Sequence, residues 1–187
     1  MRMKQRIDNK KDGLDILLEE SCKYIKEKDY KKALEILTDA IEKHPENLGL
    51  SYAYLERSCV YEQLENYDLA LSDINEAIII EPDAVNYLLF TSISIFKKMN
   101  KIEMAIIDYT IIINSCVELF DLQKGEDKLS ELKEHLASLY MDRSCLYREK
   151  KYTNLAKEDN DKAINILKYC KTINDIKQTM KYGFPPD

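Results

Sequence analysis

The chain has 187 residues, enough for one domain with a full core or for a short array of stacked repeats. Hydrophobic residues make up 45% of it against only 4 Gly and 4 Pro, which excludes a disordered or collagen-like chain, and its wealth of Leu, Ile, Ala, Glu and Lys favours helix. A formal net charge of −6 and a pI near 5.2 argue against a general nucleic-acid binder, which needs surplus Lys and Arg on one face.

The first thirteen residues, beginning MRMKQRIDNKK, are locally basic and read as a solvated arm. They hold no apolar run suited to a secretory leader. The longest aliphatic runs, at 77–80 and 111–113, are far too short to span a bilayer, so a cytoplasmic location without membrane insertion is expected. Five cysteines without a CxxC spacing fit reduced thiols inside a cell.

From residue 14 the chain repeats itself. YLERSCVYEQLENYDLALSDINEAI from Tyr54 lies over YMDRSCLYREKKYTNLAKEDNDKAI from Tyr140, with Tyr54, Arg57, Ser58, Cys59, Tyr61, Leu69, Ala70, Asp73, Ala77 and Ile78 recurring at one offset. Upstream, Leu17, Tyr24, Tyr30, Ala33, Leu37, Ala40 and Pro45 occupy the same skeleton. Between the two, Leu89, Phe96, Ala105, Tyr109 and Ile112 do so. Four units follow, at about 14–47, 51–84, 86–119 and 137–170.

Each unit carries two helical patterns joined by a polar break such as KEKD, QLEN or KKMN, and apolar residues at three- and four-residue spacing give each helix one buried stripe. Ala33, Ala70, Ala105 and Ala156 fall where the second helix crosses the first, and a small side chain there lets the axes approach. Ala40, Ala77 and Ala163 add a second close contact. Pro45 and Pro82 stop the second helix of the first two units.

The equivalent alanines lie 37, 35 and 51 residues apart, so about 17 residues, 120–136, are inserted before the fourth unit. Gly125 marks a break there, and lengthened helices are expected on either side of a loop near 123–128. Residues 171–187 read as a capping helix and tail, with Ile173, Ile176 and Met180 forming a narrow apolar stripe.

This pattern resembles the tetratricopeptide repeat, a helix-turn-helix unit of about 34 residues with a large residue, a tyrosine, spaced alanines and a terminal proline. The likeness covers about residues 14–170. The third unit departs from it, with Ile112 in place of an alanine and no proline. Leu17, Tyr54, Leu89 and Tyr140 stand where tryptophan is usual. The resemblance implies an all-α, right-handed superhelical solenoid of antiparallel hairpins.

Chemistry is sparse. His44 precedes Pro45 at a helix C-terminus, where a structural role fits, and His135 lies in the insertion without a His or Cys at ligand spacing. There is no zinc motif, phosphate loop or nucleophile with a base beside it, so neither a metal, a cofactor nor an enzyme is expected. Arg57 and Arg143 each have an aspartate sixteen residues later, Asp73 and Asp159. A salt bridge between the helices of one hairpin is the plain reading, and a ligand-binding arginine the sharper one.

Cys59 and Cys145 recur at one place, shared with Cys22, and a whole hairpin stands between them. Helix spacings of roughly 8–10 Å put them on the order of 20 Å apart, too far for a disulfide.

In tetratricopeptide arrays the first helices line a concave peptide groove. By position, the resemblance places Leu18, Cys22 and Ile25 there, then Tyr52, Leu55, Cys59 and Glu62, then Tyr87, Phe90, Ser94 and Lys97, then Ser138, Met141, Cys145 and Arg148. The residues that clamp a C-terminal carboxylate in one subclass are absent: those places hold Leu18, Cys22, Glu56, Tyr87 and Thr91, or one unit along Leu55, Cys59, Thr91, Ser138 and Asp142. An apolar or amphipathic peptide is the implied ligand of a non-catalytic interaction module. A small chaperone shielding a client's apolar segment, or a regulatory subunit acting on an enzyme in trans, are the other readings. The face could instead be covered by the arm, by an inserted helix, or by a second copy in a homodimer.

Overall fold

The computed structural model describes residues 13–45, 49–122 and 126–182, and their side chains except at 120–130 and 169–182. The basic arm up to residue 12, Gly125 and the tail from 183 lie outside the described residues, as does the side-chain packing of Ile173, Ile176 and Met180.

The described residues form α-helices and one short 3-10 turn: α1 (Gly13–Lys26), α2 (Tyr30–Lys43), α3 (Leu50–Gln63), α4 (Tyr67–Ile80), the turn Pro82–Ala84, α5 (Val85–Lys98), α6 (Ile102–Leu122), α7 (Glu126–Glu149) and α8 (Thr153–Tyr182). The first five helices are each 14 residues long, whereas α6 has 21 and α7 has 24. The insertion has thus been absorbed mostly as extra helix.

The turns explain the periodicity. Lys28, Glu65, Asn100 and Lys151 have φ of 60°, 60°, 57° and 62°, at equivalent places in the four units. In each, the next residue's N–H reaches back five positions: Asp29 to Tyr24, Asn66 to Tyr61, Lys101 to Phe96 and Tyr152 to Tyr147, at 2.8–2.9 Å. The left-handed residue itself donates three positions back. This is a Schellman turn, used four times. The residue that closes one helix also opens the next, because the carbonyls of Asp29, Asn66, Lys101 and Tyr152 accept from Ala33, Ala70, Ala105 and Ala156.

Those alanines are 0–3% exposed, and Ala40, Ala77 and Ala163 no more than 1%, as expected for helix crossings. Ile112 is fully buried in the third unit's version of that place. Pro82 sits at the start of the 3-10 turn, just after α4 ends.

The helices divide into two compact units, residues 1–95 and 96–187. In the first, α1 packs on α2, α2 on α3 and α3 on α4. One core joins Leu14, Leu18, Ala33, Leu37, Ala40, Leu50, Ala53 and Val60, and a second joins Leu55, Ile74, Ala77 and Leu88. In the second unit α6 packs on α7 and α7 on α8.

One boundary differs from expectation. Helix α8 runs unbroken from Thr153 to Tyr182, so residues 171–182 continue the second helix of the fourth hairpin and are not a separate capping helix. Nothing between those residues, neither Gly nor Pro, would stop the hydrogen-bond ladder.

Candidate interaction face

The RSCxY stretches show how one pentapeptide divides its work. Arg57 Nε and Nη2 donate to the two carboxylate oxygens of Asp73 at 2.8 Å each, and Nη1 donates to Thr38 Oγ1 at 3.2 Å. Arg143 repeats this on Asp159 at 2.8 and 2.9 Å and on Thr110 at 2.9 Å. Each guanidinium therefore ties its own helix to its hairpin partner and to the second helix of the preceding unit. Tyr54 and Tyr61 flank Arg57 with ring centroids at 5.4 and 5.9 Å, and Tyr140 and Tyr147 flank Arg143 at 5.7 and 5.6 Å.

Both arginines stay charged. The Asp73 hydrogen bond holds Arg57 above its ordinary value; at Arg143 burial pulls the value down, but the hydrogen bond and charge of Asp159, with Tyr147 and Tyr140, raise it overall. The polar contacts of both guanidinium groups are internal, so they serve as structural clasps. The Ser58 and Ser144 hydroxyls are fully buried and donate to the carbonyls of Leu55 and Ala156. The cysteine is left to the surface.

In the first unit that surface lies on α1, α3 and α5. Tyr52, Tyr87 and Phe90 are exposed, Tyr87 most at 65%. Cys22 and Cys59 are half-buried beside them. Tyr52 hydrogen-bonds Glu56, which with burial pushes its phenol up to about 12, and it also feels Cys22 and Tyr87. Burial and then Glu56 raise the Cys22 and Cys59 thiols, with Glu62 adding to the latter. Protonated thiols of this kind are poor nucleophiles and poor metal ligands. Ser94 of α5 donates to Glu62 of α3 at 2.8 Å, joining the neighbouring first helices along the face. Ile25 is half-buried near the end of α1.

Leu18 and Leu55 are displaced from this face. Leu18 lies in the core with Leu37 and Leu50, and Leu55 in the core with Ile74 and Leu88, only 5% exposed. A helix has 3.6 residues per turn, so Leu55, one turn before Cys59, rotates from the open face toward α4.

In the second unit Met141, Cys145, Arg148 and Ser138 are exposed on α7, and Lys97 is exposed near the end of α5. Arg148 folds back, its Nη2 lying 3.2 Å from Cys145 Sγ. Tyr109 of α6 is buried next to Asp142 and Cys145, and burial first, then those two groups, raises its phenol to about 12.

Other features carry less chemistry. An open depression of about 420 Å³ on α2 is lined by Leu34, Glu35, Thr38, Asp39 and Glu42. Lys43 pairs with Asp39 there at 2.8 Å. His44 caps α2 and its ring packs against Gly13, where an added Cβ would lie 2.8 Å from Cε1. His135 is exposed on α7. Among the described residues no three metal-ligating side chains converge, and no helix is long and apolar enough to cross a membrane.

Residues 51–83, which hold α3 and α4, match the model of the family described as tetratricopeptide repeat. That hairpin is a tetratricopeptide repeat. The likeness extends beyond it in the fold. MamA of MSR-1 superposes with a TM-score of 0.56 at 16% identity, covering 84% of this chain and 79% of that one. MamA of AMB-1 gives 0.57 at 17%, covering 86% and 76%. The MamA segment from residue 41 to the end, from Desulfovibrio magneticus RS-1, gives 0.51 at 10%, covering 85% and 97%. No curated protein matches the chain in sequence. The fold class is therefore all-α, of the tetratricopeptide solenoid type, a fold that takes protein partners.

Proposed function

We propose that this chain is a non-catalytic protein-interaction module that holds an apolar or amphipathic peptide segment on the face built by α1, α3 and α5. The observation that carries this reading is the cluster Tyr52, Tyr87 and Phe90, three exposed aromatic side chains on the first helices of successive hairpins. Aromatic rings give large contact area at small entropic cost, which suits them as anchors for a partner side chain. Cys22 and Cys59 supply apolar floor between them. In the second unit the same reading assigns Lys97, Met141, Cys145 and Arg148.

The test compares partner recovery from the native cell by the wild-type chain and by Tyr87→Ala with Phe90→Ala. Both residues are exposed and the double substitution leaves the core intact, so far-UV circular dichroism should not change. Recovery should fall by about tenfold or more, since two anchors at about 1–2 kcal/mol each are removed. Equal recovery by a folded double variant would move the binding site elsewhere.

A further inference from the structure

The α1, α3 and α5 face has a charge pattern that matches one segment of this chain. Over their first seven residues these helices read GLDILLE, LSYAYLE and VNYLLFT. They contain Asp15, Glu19 and Glu56 and no Lys, Arg or His. Glu56 accepts from Tyr52 and acts on both Cys22 and Cys59, so one carboxylate sits among the aromatic and thiol groups.

The start of the chain, five residues before α1, is complementary. MRMKQRI places Met1, Met3, Gln5 and Ile7 at alternate positions and Arg2, Lys4 and Arg6 between them, without an acidic residue. In extended form that alternation gives one apolar edge and one cationic edge. Three first helices at roughly 8–10 Å spacing span about 20 Å between the outer axes. Twelve residues extended reach about 40 Å. The segment is long enough to lie across all three.

We infer that residues 1–7 occupy this face in the free protein, with Met1, Met3 and Ile7 against Tyr52, Tyr87 and Phe90 and the cations toward Glu56 and the carboxylates of α1. The inference rests on the reading of this face as the peptide site and adds its regulation: a partner must displace the arm. A stronger partner loses part of its affinity to that competition, and a weak apolar peptide is rejected.

The test uses the full chain and the thiols already on the face. A neutral alkylating reagent is applied at one pH to wild type and to Arg2→Glu with Lys4→Glu and Arg6→Glu, and each cysteine is followed by peptide mass spectrometry. Alkylation of Cys22 and Cys59 should speed up by about fivefold or more, the factor expected from losing about 1 kcal/mol or more of exposed ion pairing. Cys145, in the second unit, should be unchanged. The direction is diagnostic, because replacing cations by carboxylates would by itself raise thiol pKa values and slow the reaction. Met3→Asp with Ile7→Asp should act in the same sense by removing the apolar anchors.

Unchanged rates at Cys22 and Cys59 in both variants would overturn the arm as occupant. Wild-type rates that rise on dilution would overturn it in favour of a second copy. If the rates are unchanged while Tyr87→Ala with Phe90→Ala still loses the partner, the arm proposal fails and the binding face stands.

Discussion

Removing one half of the Arg143–Asp159 clasp leaves a charge in a site with little access to water, since their side chains are 10% and 3% exposed. Arg143→Ala should therefore cost about 3–5 kcal/mol, read as a lower denaturation midpoint in urea. Arg57, 16% exposed, has more solvent to screen the orphaned Asp73, so Arg57→Ala should cost less. A larger loss at Arg57 would mean that this ordering of burial does not govern the clasp. Thr38 and Thr110, the third partners, escaped the sequence reading. They recur in alternate units, but only packing shows that each faces an arginine of the following hairpin.

Tyr52 and Tyr109 make a pH prediction at the same scale. Both phenols are raised from 10.0 to about 12 in the folded chain, so folding favours their neutral form. That stability is fully present below pH 10 and is lost as pH rises from about 10 through 12. Phenolate absorbance should show late-titrating tyrosines, with Tyr52 and Tyr109 joined by Tyr140, which burial also raises, and Tyr109→Phe should remove one of them and flatten the alkaline loss of stability. Titration of every tyrosine near pH 10 in the folded protein would contradict it.

At the scale of elements, the left-handed turn residues carry stored strain. Glu65 adopts φ of 60° with a Cβ that this region disfavours. Glu65→Gly should raise stability by about 0.5–1 kcal/mol, even after the extra freedom of glycine in the unfolded chain. Asn100→Gly should gain less, because asparagine already tolerates that conformation. Equal midpoints in urea for wild type and Glu65→Gly would show that the turn holds no such strain. These turns were visible in the sequence only as polar breaks, for no glycine occupies any of the four places. The helix crossings were far more legible: the spacing of Ala33, Ala70, Ala105 and Ala156 marks every hairpin, because only a small side chain fits there. The end of the array was not legible. A weakening apolar stripe after residue 170 suggested a new element, yet backbone hydrogen bonding continues through α8 unless something interrupts it.

At the scale of the whole molecule, the proposed function rests on a surface, the open side of the first helices. The repeat predicts an open face on the first helices, and Tyr52, Tyr87 and Phe90 are exposed on those helices. Leu18 and Leu55 are not, because a positional rule fixes a place along the helix but tolerates a rotation of a fraction of a turn. Glu56, which the sequence reading placed only where a clamp residue would stand, is the carboxylate that tunes the phenol and both thiols there. Exposure alone does not single out this face, since Leu69 and Ile79 of α4 are 51% and 71% exposed. What distinguishes it is the convergence of aromatic, thiol and carboxylate groups from successive first helices.

The measurement that tests this most directly is partner affinity by calorimetry, comparing wild type, Tyr87→Ala with Phe90→Ala, and Leu69→Ala with Ile79→Ala as the control on α4. Affinity should fall by about tenfold or more for the first pair and stay unchanged for the second. The reverse pattern, with binding lost on α4 and retained on α3 and α5, would contradict the account.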